Sequence, residues 1–323
     1  MIILAHVNPP ALIFQLRNFD VPLMVMISGL SFSLSYKQES YKSYIWKRIK
    51  RLLFPLWIFL TCYFLLIFFI AYPIKLPSIR TILESYLLLP GIGYVWIIRV
   101  FLCMATIAPL IMKLHLKIKK NLSYFLIIGA VYLSYELILL VSQPFLSSSK
   151  WMIVFESIFL YLVPYSVIFA IGLRLNSIDR KSLIYMSISS ISAFIAMGLS
   201  FYLNSGLWIK TQLFKYPPSL YYLSYALGIS IFLWLASGFI VEILNKLKIT
   251  NIVLFNAQNS MWIYLWHIPL ISIIKLPFYF SYPLIFLMAS LITFGQVSLI
   301  KYLILPNVKD LDFKKNINMI FTG

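Results

Sequence analysis

The chemistry available to this chain lies in a few ionisable side chains set inside or beside long apolar runs. His6 follows the apolar stub "MIILA", Asp20 opens "DVPLMVMISGLSFS", Arg99 lies in "YVWIIRVFL", and His267 in "YLWHIPLI". Glu136 and Glu156 fall in two further runs, where pairing between neighbouring helices is the plain expectation. Burying such groups in hydrocarbon is costly, so each is a candidate for function. A neutral imidazole suits proton transfer near neutral pH. Asp20 could orient such a ring or simply end a helix, and Arg99 and His267 are candidates for contact with substrate. Arg48 and Arg51, in "YKSYIWKRIKRLLFPLW", are three residues apart and share one helix face. Two guanidinium forks there can clamp phosphate oxygens, or can serve as ordinary contacts to lipid headgroups. His115, in the basic stretch "KLHLKIKK", reads as a solvated loop residue. Ser28 has no adjacent base in sequence, and the small residues around it serve close helix packing.

The elements that must position these groups are membrane spans. Of 323 residues, 62% are hydrophobic and 11% charged, and the mean hydropathy is +0.91; a soluble domain cannot hide that much apolar surface. The fold class expected is all-α, a polytopic transmembrane helical bundle of about ten spans forming one integral membrane domain over 1–323. Complete spans are read at roughly 19–36, 52–72, 94–112, 122–141, 152–173, 182–203, 220–243, 252–273 and 283–303. Residues 1–6 are too few to cross a bilayer and are expected to be the end of a first span whose beginning lies upstream.

The net charge of +18 is a topology signal, with no basic stripe suited to nucleic acid. Lys37, Lys42, Lys47, Arg48, Lys50 and Arg51 fill one connection, and Lys113, Lys117, Lys119 and Lys120 the next on the same side. Alternation adds Arg174, Arg180, Lys181, Lys246, Lys248, Lys301, Lys309, Lys314 and Lys315. That side, with the C-terminus, is expected to be cytoplasmic in a multi-pass cell-membrane protein. The opposite connections are rich in Pro, Ser, Tyr and Trp; Trp151, Trp208, Tyr216, Tyr221 and Tyr222 could stack on sugar rings or form the interfacial aromatic belt. Cys62 and Cys103 lie within apolar runs as packing residues, at no spacing that suggests a metal site or disulfide.

The order of these features resembles the membrane-bound acyltransferase 3 family: a histidine at the end of a first span, an SGxSF-type span, an RxxR pair before "LLFPLW", "YVWIIRVFL", and a late "SMWIYLWHIPLI". The resemblance covers nearly the whole chain. It implies an acyltransferase transferring groups other than amino-acyl groups, whose bacterial members include inner-membrane O-acetyltransferases of cell-surface and exported polysaccharides. By position it makes His6 catalytic and gives Arg48 and Arg51 the handling of acyl-CoA. The family's usual basic residue about three helical turns before that histidine has no counterpart after Met1, so its role is unassigned. Acyl-CoA, notably acetyl-CoA, is then a co-substrate, with no permanently bound cofactor. The implied partners are membrane lipid, a saccharide or glycolipid acceptor, and other proteins of polysaccharide biosynthesis. Asp20 and His6 lie toward the outer face, roughly 22 Å from the inner one at 1.5 Å per helical residue. His6 would either act as a base or carry the acyl group as acyl-histidine. The competing reading is a transporter or flippase of a lipid-linked saccharide, lining its path with the same intramembrane charges; no similarity between halves favours it.

Overall fold

A computed structural model describes residues 1–70, 75–142 and 150–322, with backbone alone for 150–158. The side chains of Trp151 and Glu156 therefore lie outside what is described. Among the described residues there is no strand, and the helices are α1 (Ile2–His6), α2 (Ala11–Leu16), α3 (Asp20–Ser35), α4 (Tyr41–Ile70), α5 (Ile79–Tyr86), α6 (Trp96–Lys117), α7 (Asn121–Ser142), α8 (Lys150–Arg174), α9 (Arg180–Ser205), α10 (Leu220–Lys246), α11 (Thr250–Gln258), α12 (Ser260–Ile273), α13 (Phe278–Leu299) and α14 (Leu311–Phe321). The protein is an all-α, multi-pass membrane protein.

Helix ends follow local chemistry. The Asp179 carboxylate accepts from the Ser182 amide at 2.9 Å and caps α9, which stops at Gly206, left-handed at φ 70°. Asp310 caps α14 through the amides of Asp312 and Phe313. Eight helical segments among the described residues are long and apolar enough to cross a bilayer: 11–35, 41–70, 96–117, 121–142, 159–177, 180–205, 220–246 and 278–307. The span expected at 252–273 is instead two helices. Asn259 separates them, its amide and its side-chain Nδ2 both donating to the Phe255 carbonyl. The 14 residues of α12 rise about 21 Å, short of a hydrocarbon core of about 30 Å. The helix that carries the span expected at 52–72 begins at Tyr41, because its Lys- and Arg-rich first turns continue the helical path and carry their charges along its side.

The chain forms two compact units. The first comprises 1–14, 40–102 and 241–323; the second comprises 15–39 and 103–240. In the second, α3 and α8 pack so closely that a Cβ added at Gly29 would strike the Phe169 carbonyl, and one at Gly172 the Met26 carbonyl. In the first, Ile3 and Val7 join Ile263, Leu270, Ile285 and Ala289 in one buried cluster, which seats α1 against α12 and α13.

Candidate functional site

Seating α1 fixes His6. Ile3 and Val7 are four apart and take one face of the stub, while Ile263, His267 and Leu270 make a stripe along α12. The two meet at the histidines: His6 Nδ1 lies 2.8 Å from His267 Nε2, with the rings 14° from parallel and 5.1 Å between centroids. The Tyr94 ring stands edge-on to His6 at 4.8 Å. The Tyr264 hydroxyl donates to the Tyr94 carbonyl, and the Tyr264 carbonyl meets Nδ1 of His267. Neighbouring bonds hold α12 in place, because Trp266 Nε1 donates to Gln296 Oε1 at 2.8 Å and Trp262 Nε1 to the Ile320 carbonyl at 2.9 Å. His267 is fully buried and His6 partly so.

Arg48 and Arg51 lie three residues apart near the start of α4, on one face, Arg48 half-buried and Arg51 exposed. The Arg48 guanidinium sits over the Tyr44 ring at 5.1 Å. Beside them Lys50 donates to Asn316 of α14 at 2.8 Å. Among the described residues no carboxylate pairs with either arginine, which leaves two fork-shaped donors for an anionic ligand. Arg99 falls in the first turn of α6, half-buried, just after the segment that brings Tyr94 to His6.

Asp20 lies in the second unit and opens α3, where a negative charge suits the helix N-terminus. Its Oδ2 accepts from Arg17 at 2.5 Å, and its Oδ1 from Lys215 Nζ at 3.1 Å and from the Val21 amide at 2.9 Å. All three charged groups are at most 5% exposed. Lys215 also donates to Asn18 Oδ1 at 3.2 Å, and Thr211 bonds both Asn18 and Gln15, so the segment after α9 is stitched to the turn before α3. Burial pushes the Lys215 ammonium below the ordinary lysine range, and the Asp20 carboxylate opposes that. The structure thus brings Asp20 to Arg17 and Lys215, and His6 to His267. Nothing in the sequence pointed to Lys215; the signal that could have found Arg17 is its spacing, three residues before Asp20.

The remaining candidates are structural. Glu136 accepts from the Tyr132 hydroxyl at 2.5 Å and from the Leu220 amide at 2.7 Å, capping α10. His115 is a half-buried member of the last turn of α6, not a solvated loop residue, because the Arg174 guanidinium draws this corner together. Arg174 donates to the carbonyls of His115 and Ile118 and to Asn121 Oδ1, and lies 4.1 Å from the Tyr124 centroid. Tyr221 and Tyr222, weighed as sugar-stacking rings, are core residues: Tyr221 packs on Phe194, Phe201 and Phe214, and Tyr222 is fully buried. Trp208 and Tyr216 keep exposed faces.

Comparison with known proteins adds the family. No curated protein and no solved structure matches the chain. The acyltransferase 3 family model, described as an acyltransferase domain, matches residues 1–301. That interval contains every helix that carries the two histidines and the arginine pair, and the chain belongs to the acyltransferase 3 family as a membrane acyltransferase.

Proposed function

We propose that the protein moves an acetyl group from cytoplasmic acetyl-CoA to a hydroxyl of a saccharide destined for the cell surface or for export. The observation that carries this reading is the contact between His6 and His267, which sets an imidazole base in an otherwise apolar setting. Arg48 and Arg51 bind the phosphates of acyl-CoA, and the pantetheine arm carries the thioester toward His6. His6 takes the proton of the acceptor hydroxyl as its oxygen attacks the thioester carbonyl. The C–O bond forms, the C–S bond breaks, and the imidazolium returns the proton to the departing thiolate, giving ester and free CoA. Arg99 is assigned to substrate contact. The basic connections and the C-terminus face the cytoplasm of a bacterial inner membrane.

Membranes incubated with labelled acetyl-CoA and exported glycan test the reading. Label should reach the glycan with the unaltered protein and fail to with His6→Ala at equal abundance. Transfer retained by His6→Ala refutes the assignment. Glycan crossing without label is the behaviour of a flippase.

A further inference from the structure

The hydrogen-bonding partners of His267 determine which nitrogen of His6 can act. A carbonyl oxygen only accepts, so Nδ1 of His267, which faces the Tyr264 carbonyl, must carry a hydrogen. The ring is fully buried on the face of α12 that also presents Ile263 and Leu270, and no carboxylate pairs with it among the described residues. Charging it there carries the desolvation cost of an isolated ion, so His267 is the neutral ring with its hydrogen on Nδ1 and its lone pair on Nε2. That lone pair lies 2.8 Å from Nδ1 of His6. Two nitrogens at this distance share one hydrogen, and Nε2 of His267 has none to give. The hydrogen therefore belongs to Nδ1 of His6, and the lone pair of His6 is on its Nε2.

We propose that His267 is a positioning residue that fixes the tautomer of His6, making Nε2 of His6 the proton-accepting atom. The arrangement runs from the Tyr264 carbonyl through two imidazoles to the reacting hydroxyl. When Nε2 of His6 takes the proton, the positive charge is shared with a ring already aligned to accept from Nδ1, and beyond that ring with a carbonyl dipole. Neither ring must turn during the reaction. A reversed tautomer of His6 would present a hydrogen to the acceptor hydroxyl and abolish base catalysis. The inference rests on the reading of His6 as the base, and its first test is independent of activity.

The chain has three histidines, so the purified protein labelled with 15N-histidine in lipid gives a spectrum of three imidazoles. His115→Asn and His267→Gln assign it. The expected result is His6 bearing hydrogen on Nδ1 with an unprotonated Nε2, and His267 likewise, joined by a coupling across the Nδ1–H···Nε2 bond. A His6 ring protonated on Nε2 and bare on Nδ1 overturns the proposal, whatever the activity.

Kinetics supply the second test. His267→Leu should lower kcat about 100-fold, the scale of one misplaced general base, with KM for acetyl-CoA within about threefold. His267→Gln, whose amide oxygen can still accept from Nδ1 of His6, should recover at least tenfold of that loss. Equal kcat in the Leu, Gln and unaltered proteins overturns the positioning role. Transfer that survives His6→Ala overturns the base assignment instead, and leaves the spectrum as a separate result.

Discussion

Asp20 and Lys215 are joined by a buried 3.1 Å ion pair across 195 residues of sequence, and Arg17 holds the other carboxylate oxygen of Asp20. Two cations share one anion, and all three groups are buried. Removing the anion is thus a different experiment from removing a cation.

Asp20→Ala should destabilise the protein by about 3–5 kcal/mol, the usual cost of leaving a buried charge without its partner. Thermal unfolding in detergent measures it. Asp20→Asn combined with Lys215→Met should recover part of the loss, because the second cation is then gone. A fully stable Asp20→Ala protein that has lost only acyl transfer would show instead that the carboxylate works on the reaction.

The arginine pair should behave as a binding device. Arg48→Ala and Arg51→Ala each remove a charge-assisted bond of about 1.5–3 kcal/mol and should raise KM for acetyl-CoA roughly 10- to 100-fold, with kcat little changed. Arg48→Lys should rescue poorly, since an ammonium cannot reproduce a bidentate fork. Titration with desulfo-CoA, which cannot react, separates binding from turnover.

Gly29→Ala and Gly172→Ala should each disrupt the pairing of α3 with α8. The added methyl would meet a backbone carbonyl, which cannot swing aside as a side chain does. Lower yield of folded protein and faster proteolysis are the readouts. Gly129→Ala, where a Cβ meets nothing within 4 Å, is the control and should remain as stable as the unaltered chain.

The cap on α9 should respond to acid. The Asp179 carboxyl is held below the ordinary carboxylate range by the Ser182 amide that it accepts from. Its folded pKa is depressed, so its contribution is present above the unfolded value of about 3.9 and is lost as pH falls through the folded one. Hydrogen exchange at Lys181 to Leu183 should quicken over that interval, and Asp179→Ala should show the faster exchange at every pH.

Most of the spans were legible because an apolar run long enough to cross hydrocarbon has few other fates. The break at Asn259 was not: one polar residue hardly lowers the hydropathy of the run, whereas its side chain can end a helix by bonding the Phe255 carbonyl. His6 and His267 could be singled out as imidazoles in apolar surroundings, but their contact depends on how Ile3 and Val7 seat α1, which no local pattern states. Lys215 was unreadable for a related reason. A lysine in a connection looks like a solvated charge until the fold supplies a carboxylate from 195 residues away.

The histidine pair also sets a schedule. Its members stand 261 positions apart, so it cannot exist on a ribosome until the chain is nearly finished, about 13 to 52 s after His6 at 5–20 residues per second. Throughout that interval the growing chain carries His6 but not yet His267. On the role proposed for His267, a chain ending before that residue should transfer acyl groups far more slowly than the full chain, and synthesis itself acts as the safety catch on the chemistry.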